Sequence, residues 1–412
     1  MDMNTVITTL RNEMKPSMGC TEPVAIGLAV SRTCEHLEKP VKGLEMIISS
    51  NIFKNAYSVQ IPNTGSCGIA LSCVLGCLLA KKGNTMEIFA DIKPEHVAEA
   101  KKLVEEGFAK VEVLRSSQFY IDCKATDGES TVHTITQDSH ENLVFTEKDG
   151  VVLLDRRNAE EAADEKGGFD VTQYTVADFL KWADEVDTKE LGFIQDAIDM
   201  NLSIAELGME KKYAIGVGPA MKKIIAGGHV RDDMVTKVKY TTAAACDFRM
   251  SGGNGSVMTY MGSGNQGIAT TIPTAVAAMH LGISGDKLLR AEFLGMLVVM
   301  YFKRHVGRLS PVCGATLAAA GSAAGITYLL GGNLSQIRGS VQNMMGGVAG
   351  IFCDGAKGGC SLKLAICAGE AVYSALFAME DSMIQPTDGF ISTAVEDGKE
   401  PCRAFPERHG KC

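Results

Sequence analysis

Aromatic residues make up only 6% of this 412-residue chain, with a single tryptophan, and charged residues only 22%. No tract of lysine and arginine occurs, and no aromatics interleave with basic residues, so the usual signature of a nucleic-acid surface is missing. The balance is acidic, with 40 basic against 49 acidic side chains and a formal charge of −9. The start of the chain lacks the basic flank and apolar run of a secretory signal, so a cytoplasmic enzyme is expected. A Walker A pattern is also missing. At this length the chain can form one to three domains around a large buried core.

Charge is scarcest in two stretches. Neither Ser251 to Gly285 nor Ser310 to Ile337 contains Asp, Glu, Lys or Arg. Each is long enough to span a bilayer, and the second contains Gly321-x-x-x-Gly325, a spacing common in packed membrane helices. Both, however, are rich in Gly, Asn, Gln, Ser and Thr and lack aromatic belts and basic flanks. The expectation is therefore closely packed helices inside a core, with no membrane.

The pattern along the chain predicts an α+β protein in two parts. Residues 1–170 read as mixed α/β. A helix is expected from Thr21, with Thr21 as cap and Pro23 in the first turn. Strands are expected over Leu44–Ser50, Tyr57–Ile61, Met86–Asp91 and Val111–Arg115, with helices over Ser66–Ala80 and Glu95–Glu106. Gln118–Lys124 and Ser130–Thr136 read as a hairpin. The charged, glycine-containing stretch 156–171 reads as a linker or surface excursion. Residues 171–412 read as mostly helical and glycine-rich. Residues 251–360 hold 22 of the 44 glycines, which predicts loops, tight helix contacts or backbone close to a ligand.

Thirteen cysteines are an odd number for a purely disulfide-bonded protein, so free thiols are the default. Cys34, Cys73, Cys77, Cys123, Cys246 and Cys367 read as packing residues. Cys313, at an expected helix start, and Cys353 and Cys360, which bracket a loop with four intervening candidates for close approach (Asp354, Gly355, Gly358 and Gly359), read as a set. Three thiolates hold three irons of a 4Fe–4S cluster and leave the fourth iron open. The competing readings are unrelated core thiols or a zinc site, although Cys-x6-Cys is not a common zinc spacing.

Other candidates surround this set. Cys20 lies at or just before a helix N-terminus, a setting that favours thiolate and so a general base. Lys54 and Asn55, between expected strands, are candidates for base and carboxylate binding. Asn63, Thr64 and the following Gly-Ser are candidates for holding a carboxylate at a helix start. Arg249, in Asp247-x-Arg249, suits bidentate carboxylate binding, with a structural Asp–Arg pair as the alternative. Lys357 lies inside the ligand loop. Gly262-Ser-Gly-Asn-Gln-Gly267 matches a dinucleotide fingerprint literally. No hydrophobic strand leads to an acid at the required distance, so Asn265 and Gln266 read instead as substrate contacts. His140 and Asn142 read as turn residues. The tail cysteines Cys402 and Cys412 suggest a mobile thiol able to reach an open iron.

Five motifs resemble one family: Gly19-Cys-Thr-Glu-Pro-Val-Ala25, Lys54-Asn55 followed by Ile61-Pro-Asn-Thr-Gly65, Gly262-Ser-Gly-Asn-Gln-Gly267, Gly307-Arg-Leu-Ser-Pro-Val-Cys-Gly314, and Cys353-Asp-Gly-Ala-Lys-Gly-Gly-Cys360. The chain resembles the L-cysteine desulfidases, relatives of the α chain of iron–sulfur L-serine dehydratases. That resemblance implies a 4Fe–4S enzyme that converts L-cysteine to pyruvate, ammonia and sulfide without pyridoxal phosphate. It implies Cys313, Cys353 and Cys360 as cluster ligands and Cys20 as the match to a family cysteine with a suspected catalytic role. The rival expectations are an L-serine dehydratase and a non-catalytic iron–sulfur sensor. The expected partner is a small amino acid, with a homo-oligomer compatible with the sequence and the active site between the two parts.

Overall fold

The computed structural model describes residues 2–116, 118–157, 169–306, 312–348 and 350–385. The chain opens with helix α1 (Met3–Asn12), strand β1 (Met14–Met18) and helix α2 (Thr21–Cys34). There follow β2 (Gly43–Ser49), α3 (Ser50–Ala56), α4 (Ile69–Leu78), α5 (Pro94–Glu105) and five strands, β3 (Ala109–Leu114), β4 (Tyr120–Thr126), β5 (Thr131–Gln137), β6 (Leu143–Lys148) and β7 (Val151–Asp155).

A six-stranded sheet has the order β3-β2-β4-β5-β6-β7. Only β2 and β3 run parallel, with Leu44 opposite Ala109 and Ile48 opposite Val113. Leu44, Met46 and Ile48 of β2 and Ile121, Cys123 and Ala125 of β4 alternate into a core shared with α2, as the period-2 geometry of strands requires. Helix α4 lies against α2 at backbone distance. A Cβ at Gly76 would meet the Gly27 carbonyl oxygen at 2.3 Å.

Two expected strands are corrected. Tyr57 ends α3, and within Tyr57–Ile61 only Gln60 makes a bridge, to Cys67. Met86–Asp91 is a series of turns. Its apolar residues are anchors: Ile88 and Phe89 are buried, and the Phe89 ring fills the space beside Gly27, which has no side chain. Burial without a ladder partner produced the strand-like pattern. Lys54 and Asn55 accordingly lie on a short helix, α3, rather than between strands. Helix α2 is capped by Cys20, and Thr21 is its first residue.

The remaining elements are α6 (Val176–Glu185), α7 (Gly192–Glu210), α8 (Val217–Ala226), α9 (Met234–Met250), β8 (Ser256–Tyr260), α10 (Gly264–Leu281), α11 (Asp286–Val306), α12 (Gly314–Leu329), α13 (Leu334–Val348) and α14 (Cys360–Met379). Strand β8 pairs antiparallel with β1, Met14 opposite Tyr260, so the first strand of the chain is sewn into the helical body. Val6, Ile7 and Leu10 of α1 join the same core.

The charge-free stretches are core helices. Ala315 to Thr327 of α12 are all buried. A Cβ at Gly321 would meet the Gly295 carbonyl oxygen of α11 at 2.3 Å, and one at Gly325 would meet the Ala291 oxygen at 2.8 Å. The small residues thus serve helix contact in a protein core. Among the described residues, one helix, Cys360–Met379, is long and apolar enough to cross a membrane, and 56% of that window is buried inside the protein. Gly321→Val is expected to lower stability by about 1–3 kcal/mol through overpacking. A denaturant midpoint equal to that of wild type would show that α11 and α12 do not meet at backbone distance.

Candidate functional site

Cys313, Cys353 and Cys360 lie on two neighbouring chain segments, near enough to act on one another by charge. Cys313 caps α12, and its N–H donates to the Ile351 carbonyl at 3.0 Å. Val312 and Phe352 form an antiparallel bridge, so the segment before α12 is tied to the segment leading into Cys353. Cys360 begins α14, with its N–H on the Lys357 carbonyl at 2.9 Å. Burial first, and then the neighbouring Cys353 and Cys360 thiols, push Cys313 up to about 11. Burial and Cys353 likewise raise Cys360. Each thiol therefore lies in the field of the others. The residues 307–311 of the motif preceding Cys313 lie outside the described residues, as do Cys402 and Cys412.

The ligand loop is braced from within. Asp354 pairs with Lys357 and Lys363, which together hold its carboxyl far below the ordinary carboxylate value. Lys363 also donates to the Phe352 carbonyl at 2.7 Å. Lys357 is thus engaged by its own loop. Gly355 has φ +101, and a Cβ there would meet the Lys54 carbonyl oxygen at 2.2 Å. Only glycine fits that approach, and it presses the loop onto α3. Lys54 is half-buried at this junction.

On the far side of Lys54 lies a second group. Asn55 Nδ2 donates to Glu22 Oε1 at 3.0 Å, and Thr21 Oγ1 and Cys20 Sγ donate to Glu22 Oε2 at 3.0 and 3.1 Å. Burial and then the Glu22 charge push the Cys20 thiol well up, against a smaller opposing pull from Arg249. The expectation of a resting thiolate is therefore corrected. The helix terminus is there, but burial and an adjacent carboxylate outweigh it. Glu22 was not singled out from the sequence. Its signal was an acid in the first turn, two residues after the candidate cysteine.

Arg249 connects the two groups. Its side chain is buried near the end of α9, and Nη1 donates to Asn265 Oδ1 at 3.0 Å. Its charge acts on both Cys20 and Cys360. Its Nε is buried without a partner in the structure, and Gly264 lets the backbone of α10 pack directly against the guanidinium: a Cβ there would lie 2.3 Å from Nε. Gln266 is fully buried, with Nε2 on the Tyr260 carbonyl at 3.4 Å and Oε1 without a donor. That oxygen faces the Cys313–Gly314 helix start, 3.0 Å from where a Gly314 Cβ would be. Asp247 does not pair with Arg249; it accepts the N–H groups of Gly216 and Gly218 at the start of α8, at 3.2 and 3.0 Å.

A profile of the family described as serine dehydratase alpha chain matches residues 83–400. The chain belongs to the serine dehydratase alpha chain family. The family match takes in Arg249, Asn265, Gln266 and the three grouped cysteines, and begins after Cys20 and Glu22. Among relatives, the chain is 33% identical to a UPF0597 protein of Porphyromonas gingivalis over 404 residues, 96% of this chain and 93% of that one. It is 34% identical to a UPF0597 protein of Photobacterium profundum over 390 residues, 94% and 91% of the two chains. It is 36% identical to one from Clostridium perfringens over 396 residues, 95% and 91%.

Within this family member, not every expected residue joins the site. Asn63, at φ +61, donates through Nδ2 to the Phe89 and Ala90 carbonyls, and its N–H goes to Gly252. Thr64 Oγ1 bonds Ile61 O at 2.8 Å within its own turn. Helix α4 begins beyond them, at Ile69. Their polar groups hold the turn that docks the α/β part onto the end of α9. Cys246, read from the sequence as packing, is buried but faces the site: it donates to Asn265 at 3.5 Å and feels Cys360 and Cys313. Cys367 lies near Cys313. His140 sits in the β5–β6 turn and its charge acts on Glu22.

Proposed function

We propose that this protein is an iron–sulfur lyase that eliminates the β-sulfur of L-cysteine, giving pyruvate, ammonia and sulfide without pyridoxal phosphate. The observation that carries this reading is Arg249, a buried guanidinium with an unpartnered Nε whose charge acts on both the Cys20–Glu22 group and the grouped cysteines. Cys313, Cys353 and Cys360 would hold a 4Fe–4S cluster. The donor set fits it, because thiolate is the usual protein ligand and Lys363 and Arg249 lie close enough to offset negative charge. Among the described residues no three His, Cys, Asp or Glu side chains converge on a single ion. When bound through three thiolates, such a cluster supplies a Lewis-acidic iron for the leaving group.

The chain's own residues do the rest. Arg249 receives the substrate carboxylate, with Asn265 fixing the guanidinium plane. Gln266 Oε1, a buried acceptor without a donor, receives the substrate ammonium. The α-carbon is then held on the Cys20 side, and the β-substituent on the side of the cysteines. Elimination yields 2-aminoacrylate, which tautomerises to an imine and hydrolyses to pyruvate and ammonium.

The family's description favours a second substrate, L-serine, whose hydroxyl would leave from the same position. The deciding experiment is anaerobic. The protein is loaded with iron and sulfide, given each amino acid, and pyruvate and sulfide are quantified. Equal pyruvate and sulfide from cysteine is the expected result. Pyruvate from serine alone moves the assignment to a dehydratase. Turnover of neither by the loaded protein overturns the lyase reading in favour of a sensor.

A further inference from the structure

We propose that Glu22 is the terminal proton acceptor of the site: it takes the Cys20 thiol proton while Cys20 takes the α-proton of the substrate. This inference rests on the elimination reading above and adds to it a residue that works one step behind the reacting carbon.

The geometry is that of a relay. Cys20 is 2% exposed and Glu22 is 7% exposed, so neither exchanges protons freely with bulk water. The Cys20 Sγ lies 3.1 Å from Glu22 Oε2; its other acceptor, the Asn55 carbonyl, is 3.8 Å away. The thiol proton therefore points at the carboxylate. The Glu22 backbone N–H and the Arg249 charge both act on the same sulfur in the sense that favours its charged form. A thiolate formed transiently there meets the N–H dipoles of a helix N-terminus and a cation. Glu22 is held in place by Thr21 and Asn55, so its free lone pair remains directed at the sulfur.

A base that must be ionised at rest is hard to maintain when buried. Here burial pushes Glu22 up, but His140 and the three side-chain donors outweigh it and hold the carboxyl below its ordinary value. The charge is thus stored on oxygen, and the thiol serves as a conductor. In the step, the Cα–H bond breaks and an Sγ–H bond forms, while the original Sγ–H bond breaks and an O–H bond forms on Glu22. The Cα–H electron pair becomes the Cα–Cβ π bond, and the pair of the Cβ–sulfur bond leaves with the sulfide. The proton on Glu22 then returns through Cys20 to the departing sulfide, and the site is reset with no external reagent.

Glu22 acts through Cys20, so it is a positioning and proton-storing residue, and its test needs more than a loss of rate. Glu22→Gln and Glu22→Asp are prepared as anaerobically loaded holoenzymes. Three things are read: kcat and KM, iron content, and the isotope effect with α-deuterated substrate. Glu22→Gln is expected to lose about 10²–10⁴-fold in kcat, with KM and iron content near wild type and a larger α-deuterium effect. Glu22→Asp is expected to recover part of the rate. A wild-type kcat in Glu22→Gln, or a loss confined to KM with an unchanged isotope effect, overturns the relay. Should Glu22→Gln lose its iron, Glu22→Asp decides: an isotope effect and kcat equal to wild type overturn the relay, and a raised effect with lowered kcat supports it. Wild-type protein that turns over neither cysteine nor serine defeats the elimination reading itself, and the relay with it, before any variant is compared.

Discussion

Cys353→Ala will give a folded protein that binds little iron and forms no pyruvate. Cys353 lies in a loop that is partly exposed and contributes nothing to the buried core, so the fold loses little when its sulfur is removed. Its value is in what it faces. It raises the pKa of both Cys313 and Cys360, so the three sulfurs occupy one neighbourhood. A 4Fe–4S cluster reduced from three thiolate ligands to two would be bound weakly and lost on handling. The informative contrast is with the two other thiols nearby. Cys246 and Cys367 sit in the interiors of α9 and α14, both fully buried. Cys367→Ala should keep wild-type iron, because Cys367 packs beside Thr316 in the helical core. Iron and acid-labile sulfide per chain, read beside the unfolding midpoint, separate these outcomes. Iron retained in Cys353→Ala but lost in Cys367→Ala would place the cluster elsewhere.

The fold was legible where one local signal and one packing requirement agreed. The β2, β4 and β5 alternation, the α5 pattern and the charge-free core helices each depend on a single periodicity and a single buried face. It was illegible where burial came without that partner. Ile88 and Phe89 are as apolar as a strand, yet both are buried from a turn, and Phe89 fills the space beside Gly27. Strand β8 was hidden because its partner, β1, lies more than two hundred residues earlier, and no local pattern carries that pairing. The site divides in the same way. The grouped cysteines stand out by type and spacing. Glu22 and Cys246 do not, because an acid after a cysteine and a cysteine in an apolar helix are ordinary in isolation. Asn63 misled for the opposite reason: a polar residue in a conspicuous turn was satisfying carbonyls of a neighbouring turn. Distance to the other groups gives these residues their meaning, and distance is what a sequence lacks.

Arg249→Met should cost the enzyme its grip on the substrate carboxylate while leaving the cluster in place. A buried charge whose partner is removed costs about 2–5 kcal/mol, which is about 30- to several thousand-fold in kcat/KM. The size follows from the setting: Arg249 is 4% exposed, so water does not substitute for the lost guanidinium. Arg249→Lys is expected to recover little. An ammonium cannot donate to Asn265 Oδ1 and at the same time present a second donor in a fixed plane. Loss of rate alone would not separate substrate binding from bracing of the α9–α10 junction. Two thiol ligands do so on the loaded protein. Binding of 3-mercaptopropionate, which carries thiol and carboxylate, should weaken by the same factor as kcat/KM. Binding of ethanethiol, which lacks the carboxylate, should not change. Equal weakening of both would mean that Arg249 only supports the shape of the site, and the carboxylate would have to be sought at another cation such as Lys54, whose helix α3 lies against the ligand loop.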